Sequence, residues 1–193
     1  MKRYLLIFTI MMLILPGLYM VALSADQSEH LRYLKEGVKS WNDWRADKKP
    51  KNIDFNLVDL SNASLNSINL DDVSLKAAIL YKADLSYSKL RYANLEAANL
   101  QYANVYSADL FSANLVGVNM IGANLSRARM NETDMTYARM TECKLYKADL
   151  ENAKLFDAEM ERTDLRQANL TYANMARARL FNANMRQAVL NNA

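Results

Sequence analysis

The sequence is poor in the residues from which reactive centres are usually built. Among 193 residues there is one cysteine, Cys143, and one histidine, His30. A single cysteine excludes an intrachain disulfide framework, and one of each leaves too few donors for a Cys/His metal site. Neither a G-x-x-x-x-G-K nor a G-x-G-x-x-G run occurs, so no phosphate-cradling loop is announced. Glycines number four and prolines two, with Pro50 the last of them. Charge of one sign is missing too. Residues 53–193 hold 15 basic and 16 acidic side chains. That balance has neither the basic excess that favours nucleic acid nor a strongly acidic surface.

What is present begins with an apolar leader. Met1, Lys2 and Arg3 are followed by the apolar run Tyr4 to Leu15, a Pro16–Gly17 break, and small residues leading into the charged segment DQSEH. This order predicts a secretory signal peptide over residues 1–25, cut after Ser24 or Ala25. Tyr4 to Ala22 is also just long enough to span a bilayer, so an uncleaved inner-membrane anchor remains the alternative. In both readings Lys2 and Arg3 stay on the cytoplasmic side and the rest is exported, to the periplasm or beyond. The only cysteine is far from the junction, which excludes a lipoprotein.

Residues 26–52 read as a leader segment containing one helix, from 27 to about 47. Leu31, Leu34, Val38, Trp41 and Trp44 recur at three- and four-residue steps and give it an apolar face. Both tryptophans of the chain, Trp41 and Trp44, lie here. They read as an N-terminal cap, since a repeat array needs its first layer covered; a ligand-stacking pair is the competing reading.

From Phe55 to Leu190 every fifth residue is large and apolar, 28 positions without a slip: 19 Leu, 7 Met, Phe55 and Val105. Two residues earlier the side chain is small or β-branched, Ala in 19 of the 28 words. The residue between is Asp or Asn in 17 words. The other two positions are mostly polar and look unconstrained. A period of five fits neither a helix nor a strand. On a helix, successive leucines would rotate by about 140° and smear around the surface. A chain that turns a corner every five residues keeps each large side chain inside, with the small one sharing the core from the same strand face.

Charge tells how many words close one coil. Stacked coils place residues about 4.8 Å apart, so opposite charges should face one another. At an offset of four words there are seven charged pairs in the slot before the large residue: Lys89–Asp109, Asp109–Arg129, Arg129–Asp149, Asp134–Lys154, Arg139–Glu159, Lys144–Asp164 and Glu159–Arg179. All seven are opposite in sign, whereas offsets of three and five words give mostly like pairs. Twenty residues therefore make one four-sided turn, and 28 words make about seven coils, a rod roughly 34 Å long at the sheet spacing.

Words such as those of AANLQYANVYSADLFSANL resemble the pentapeptide-repeat family, over residues 53–192. The resemblance implies an all-β fold, a right-handed quadrilateral parallel β-helix over residues 53–193, preceded by a short capping α-helix. GVKSWNDWR with Pro50 is similar to the leader helix that often precedes such arrays. Some family members imitate B-form DNA and protect a topoisomerase. That alternative needs a cytoplasmic, densely acidic chain, and this one is near neutral with an export signal.

No enzyme is expected. The array has no loop insertion, and loops normally carry catalytic residues. His30 stands alone in the leader helix, and Cys143 fills an inward slot usually held by Ala, so a packed thiol is expected. No cofactor, metal or nucleic acid is expected. Asparagine stacks, Asn94 over Asn114, Asn99 over Asn119 and Asn104 over Asn124, should bond coil to coil. Tyr81, Tyr87, Tyr92, Tyr102, Tyr106 and Phe111 all fall at outward positions. They form an aromatic belt that is either a partner surface or cross-strand support. The last coil is expected to leave Met175, Leu180, Met185 and Leu190 as a candidate dimer end, meeting a second copy by a two-fold contact. The expected role is an exported scaffold for a protein or an envelope component, with membrane contact only if residues 4–22 stay as an anchor.

Overall fold

The structure, a computed structural model, describes residues 25–193. The signal peptide or anchor expected over 1–25 lies, up to residue 24, outside the described residues. Among the described residues no helix is long and apolar enough to cross a membrane.

Two helices, not one, precede the array: α1 (Ala25–Lys35) and α2 (Val38–Lys48). The break falls at Gly37, whose φ is 111°, a backbone state that side-chain-bearing residues rarely adopt. The Gly37 N–H donates to the Leu34 carbonyl at 3.1 Å, closing α1, and the Gly37 carbonyl accepts from Trp41 N–H at 3.0 Å, opening α2. The apolar spacing ran through the break unaltered, because Leu34 on α1 and Trp41 and Trp44 on α2 still reach one core.

From Ile53 onward the chain is a square coil with one corner per word. The residue before each large one forms a parallel bridge with the residue twenty positions on, in 24 steps from Asp54–Ser74 to Asn169–Val189. Four words thus complete one turn. Regular strand is reduced to these single bridges, because the chain turns again before a second pairing can form. Three backbone bonds per word tie each coil to the next. Leu75 N–H donates to Asn94 O at 2.7 Å, Ala77 N–H to Glu96 O at 2.8 Å, and Asn94 N–H to Val73 O at 3.0 Å.

Each corner is a four-residue turn in which the large residue's carbonyl accepts the N–H of the next small one, as in Ala98 N–H to Leu95 O at 3.0 Å. The second central residue has a positive φ throughout. Apart from Gly117 and Gly122, all 26 of these residues carry a side chain, with φ between 52° and 62°. Positive φ at this place is the demand of a type II turn, and it costs a non-glycine residue roughly 1 kcal/mol. Hence the two outward positions are not equally free. None of the 28 second-turn residues is Val, Ile or Thr, whereas the first-turn position admits Val116, Ile121, Thr136, Thr141 and Thr171. β-Branched residues are genuine outliers at positive φ.

The core is a stack of layers down the axis, each coil turning four large and four small side chains inward. Every large residue from Leu65 to Leu170 is at most 4% exposed.

Candidate functional site: the corners of the rod

The Asp and Asn residues of the words act first on the corners. In all 17 cases the side-chain oxygen accepts the backbone N–H two residues on, from Asn56 N–H to Asp54 at 2.7 Å through Arg186 N–H to Asn184 at 3.3 Å. This Asx turn satisfies an N–H that faces outward at the bend. Two corners without an Asx residue borrow one from the preceding coil: Lys76 N–H donates to Asn56 Oδ1 at 2.7 Å, and Arg91 N–H to Asp71 Oδ1 at 2.9 Å.

The expected coil-to-coil role is secondary and partial. Asn114 donates to Asn94 at 3.1 Å and Asn124 to Asn104 at 3.2 Å, while Asn104 donates to Asp84 at 2.9 Å. Of the seven charge pairs, four form ion pairs: Arg129–Asp109, Lys154–Asp134, Arg139–Glu159 and Arg179–Glu159. In the other three the acid has a closer partner: Asp109 takes Arg91 at 2.8 Å, Asp164 takes Arg166 at 2.7 Å, and Asp149 accepts from Asn169 at 2.9 Å.

The predicted aromatics meet in pairs across neighbouring coils, each edge to face. Ring centroids are 5.9 Å apart for Tyr81–Tyr102, 5.6 Å for Tyr87–Tyr106 and 5.7 Å for Tyr92–Phe111. Such contacts contribute about 1 kcal/mol each beyond area burial. One ring of each pair stays in water: Tyr87 is 60% exposed, Tyr92 56% and Tyr102 53%. The twenty-residue register puts the three pairs on three successive corners, so the belt wraps the rod and no flat partner can touch all of it. A fourth pair, Tyr137–Phe156 at 6.2 Å, has the same form, and Arg177 lies 5.3 Å over Phe156. It was legible as a 19-residue step from a second-turn aromatic to the next coil's first-turn aromatic, the step that also joins Tyr87 to Tyr106 and Tyr92 to Phe111.

At the N-terminal end α2 supplies side chains where a preceding coil would supply backbone. Trp41 Nε1–H donates to Asn69 O at 2.7 Å, Asn42 Nδ2–H to Ser67 O at 3.0 Å, and Arg45 to Asp71 O at 2.6 Å. Asn42 Oδ1 in turn accepts Asn69 N–H at 2.8 Å. Trp41 and Trp44 are buried, with Trp41 5.4 Å from Phe55 and His30 5.1 Å from Trp44, ring centre to ring centre. The cover reaches half of the first coil: Ile53, Phe55, Ile68 and Leu70 are buried, whereas Val58, Leu60 and Ala63 are half-buried. At the other end Met175, Leu180 and Met185 are half-buried and Leu190 is 43% exposed.

Chemistry is little in view at any corner. The Cys143 thiol is buried, donates to Met120 O at 2.8 Å, and is pushed up to about 12 by burial, far from the lowered values of reactive thiols. Among the described residues no group of three or more His, Cys, Asp and Glu side chains is placed to hold a metal ion.

The search of curated proteins found no match. Among solved structures, a pentapeptide repeat protein of the Arabidopsis thaliana thylakoid lumen aligns at 25% identity with a TM-score of 0.50, over 51% of this chain and 68% of that one. A pentapeptide repeat protein of the cyanobacterium Cyanothece aligns at 19% identity with a TM-score of 0.43, over 77% of this chain and 96% of its own. QnrB1, a plasmid-mediated fluoroquinolone resistance protein, aligns at 14% identity with a TM-score of 0.37, over 74% and 78%. The family described as pentapeptide repeats matches in eight copies, over residues 53–86, 78–115, 113–152 and 148–187. With that span matched and four bridged words to a turn, the chain belongs to the pentapeptide repeat family, whose fold is the right-handed quadrilateral β-helix and whose members are generally non-catalytic.

Proposed function

We propose that this protein is a non-enzymatic scaffold, exported across the inner membrane, whose rod of about seven coils presents corner side chains to a protein or envelope component. The observation that carries the reading is the exposure of Tyr87, Tyr92 and Tyr102 at second-turn positions. The turn demands of that position only a side chain without β-branching, and the part of each ring left in water exceeds what its edge-to-face contact needs. Tyrosine supplies contact area at low entropic cost. The leader at residues 1–25 supports export. The topoisomerase-protection alternative draws nothing from charge, because the array nets −1.

Affinity capture from envelope extracts tests this reading, with the exported form and a Tyr87→Ala/Tyr92→Ala/Tyr106→Ala variant whose circular dichroism is unchanged. The expected result is a captured component that the variant loses. Equal capture by both would remove the aromatic belt as the partner surface.

The half-covered end at Met175, Leu180, Met185 and Leu190 suits a second copy meeting it end to end by an isologous contact. Sedimentation of the exported form at micromolar concentration should give a dimer; a clean monomer removes this part of the proposal.

A further inference from the structure

The coil sorts charges that are scattered in the sequence. At the corner formed by residues 66–67, 86–87, 106–107, 126–127, 146–147, 166–167 and 186–187, four side chains are basic, Arg127, Lys147, Arg166 and Arg186, and none is acidic. The next corner, 71–72 and every twenty residues after it, carries four acids and one base. The overall charge of −1 across the array conceals this separation.

The four cations occupy consecutive coils and are all exposed. Arg166 is held by Asp164 through two contacts of 2.7 and 2.8 Å; Arg127, Lys147 and Arg186 form no ion pair among the described residues. Neutral donors run along the same ridge: Tyr146 O–H donates to Gln167 at 3.2 Å and Gln167 to Gln187 at 2.7 Å. Towards the N-terminal end the ridge continues as Tyr106 and the exposed Tyr87.

We propose that this ridge binds a single chain of an anionic polysaccharide laid along the rod, an inference that rests on the scaffold reading and names its envelope component. Three observations choose this partner. Acids flank the ridge on both sides, Glu142 and Glu161 on one neighbouring corner and Glu132 and Glu151 on the other. A bilayer plane spreads over those acids as well, whereas a narrow chain follows the ridge between them. Cations one coil apart, about 4.8 Å, suit a polymer with one carboxylate per sugar ring. An extended acidic peptide repeats on one face only every ~6.7 Å. The Tyr146 ring is covered by Lys147 at 5.3 Å and Arg166 at 5.6 Å. That ring is already engaged by cations rather than left free to stack on a base, as single-stranded nucleic acid favours, and its hydroxyl can accept from a hydroxyl-rich partner.

The test is binding of the full chain to polygalacturonate, by fluorescence titration at low and physiological salt. Dextran, oligo-dT and phosphatidylglycerol vesicles serve as separate arms. The expected result is salt-sensitive binding to polygalacturonate that exceeds every other arm. It should weaken about tenfold in an Arg127→Gln/Lys147→Gln/Arg186→Gln variant, which removes three exposed charge pairings. A Lys82→Gln/Arg162→Gln variant, on another corner, should bind as the parent does. No binding to polygalacturonate, stronger binding to oligo-dT or vesicles, or equal loss in both variants overturns the proposal. If binding is absent while the tyrosine-dependent envelope capture persists, this inference fails and the scaffold reading stands.

Discussion

The ring of Tyr102 lies across the backbone of Gly122, one coil further along the same corner. A Cβ at residue 122 would meet Tyr102 Cε1 at 2.6 Å and Cδ1 at 2.7 Å, while a Cβ at Gly117, on another corner of that coil, meets nothing within 4 Å. Both glycines have positive φ, 69° and 63°. Gly117→Ala should therefore cost about 1 kcal/mol, the left-handed strain alone. Gly122→Ala should cost about 2 kcal/mol, since the displaced Tyr102 also leaves Tyr81. In a Tyr102→Ala background the Gly122→Ala cost should fall to that of Gly117→Ala. A double-mutant cycle by urea unfolding measures this, and additive costs would show that the ring is not the obstacle.

Asn99 isolates the corner bond from the ladder. Its Oδ1 accepts Gln101 N–H at 3.1 Å, whereas Asn104 also donates to Asp84 and accepts from Asn124. Asn99→Ala should lose about 1 kcal/mol, the size of a lost capping bond, and Asn99→Asp should restore most of it. Asn104→Ala should cost more than Asn99→Ala.

The periodicity makes the twenty-residue turn legible, and the bridges repeat it; Asp109 shows the period and carries a second role that the period does not show. It sits opposite both Lys89 and Arg129 in the stack, yet its carboxylate is shared by Arg91 and Arg129 and also accepts Phe111 N–H at 3.2 Å. Spacing reveals neighbours twenty apart more readily than a bond within one word. The break at Gly37 escaped for a similar reason, since the apolar spacing crosses it. The basic ridge escaped because net charge averages over corners that only the closed coil separates.

Ser88 fills an inward slot with a buried hydroxyl that has no hydrogen-bond partner, whereas the equivalent Thr133 and Thr163 hydroxyls donate to Met130 O and Met140 O. Ser88→Ala should therefore raise stability by about 1 kcal/mol, while Thr133→Ala should not. Thermal unfolding of both variants checks it; a lower midpoint for Ser88→Ala would contradict the unsatisfied hydroxyl.

Two carboxylates should give opposite pH signatures. Hydrogen bonding from Arg166, against a smaller burial effect, holds Asp164 below the ordinary 3.8. The stability it contributes is present above that value and is lost as pH falls through the lowered folded value. Burial, against the Arg91 N–H and nearby cations, holds Asp71 above 3.8, so its protonated form favours the fold and stability is lost as pH rises through the raised value. Asp164→Asn should flatten the acid limb of the stability curve, and Asp71→Asn should gain stability at neutral relative to acid pH. Urea midpoints from pH 3 to 7 distinguish them.

The central claim is that the inward residues make the rod and the corner residues address a partner. Site-specific photocrosslinking in the native envelope tests it most directly, with a photoreactive phenylalanine placed in turn at Tyr87, Tyr92 and, on another corner near the N-terminal end of the rod, Asn62. The account predicts a discrete crosslinked adduct from position 87 or 92 and none from position 62. Equal adducts from all three positions, or none from any, would contradict it.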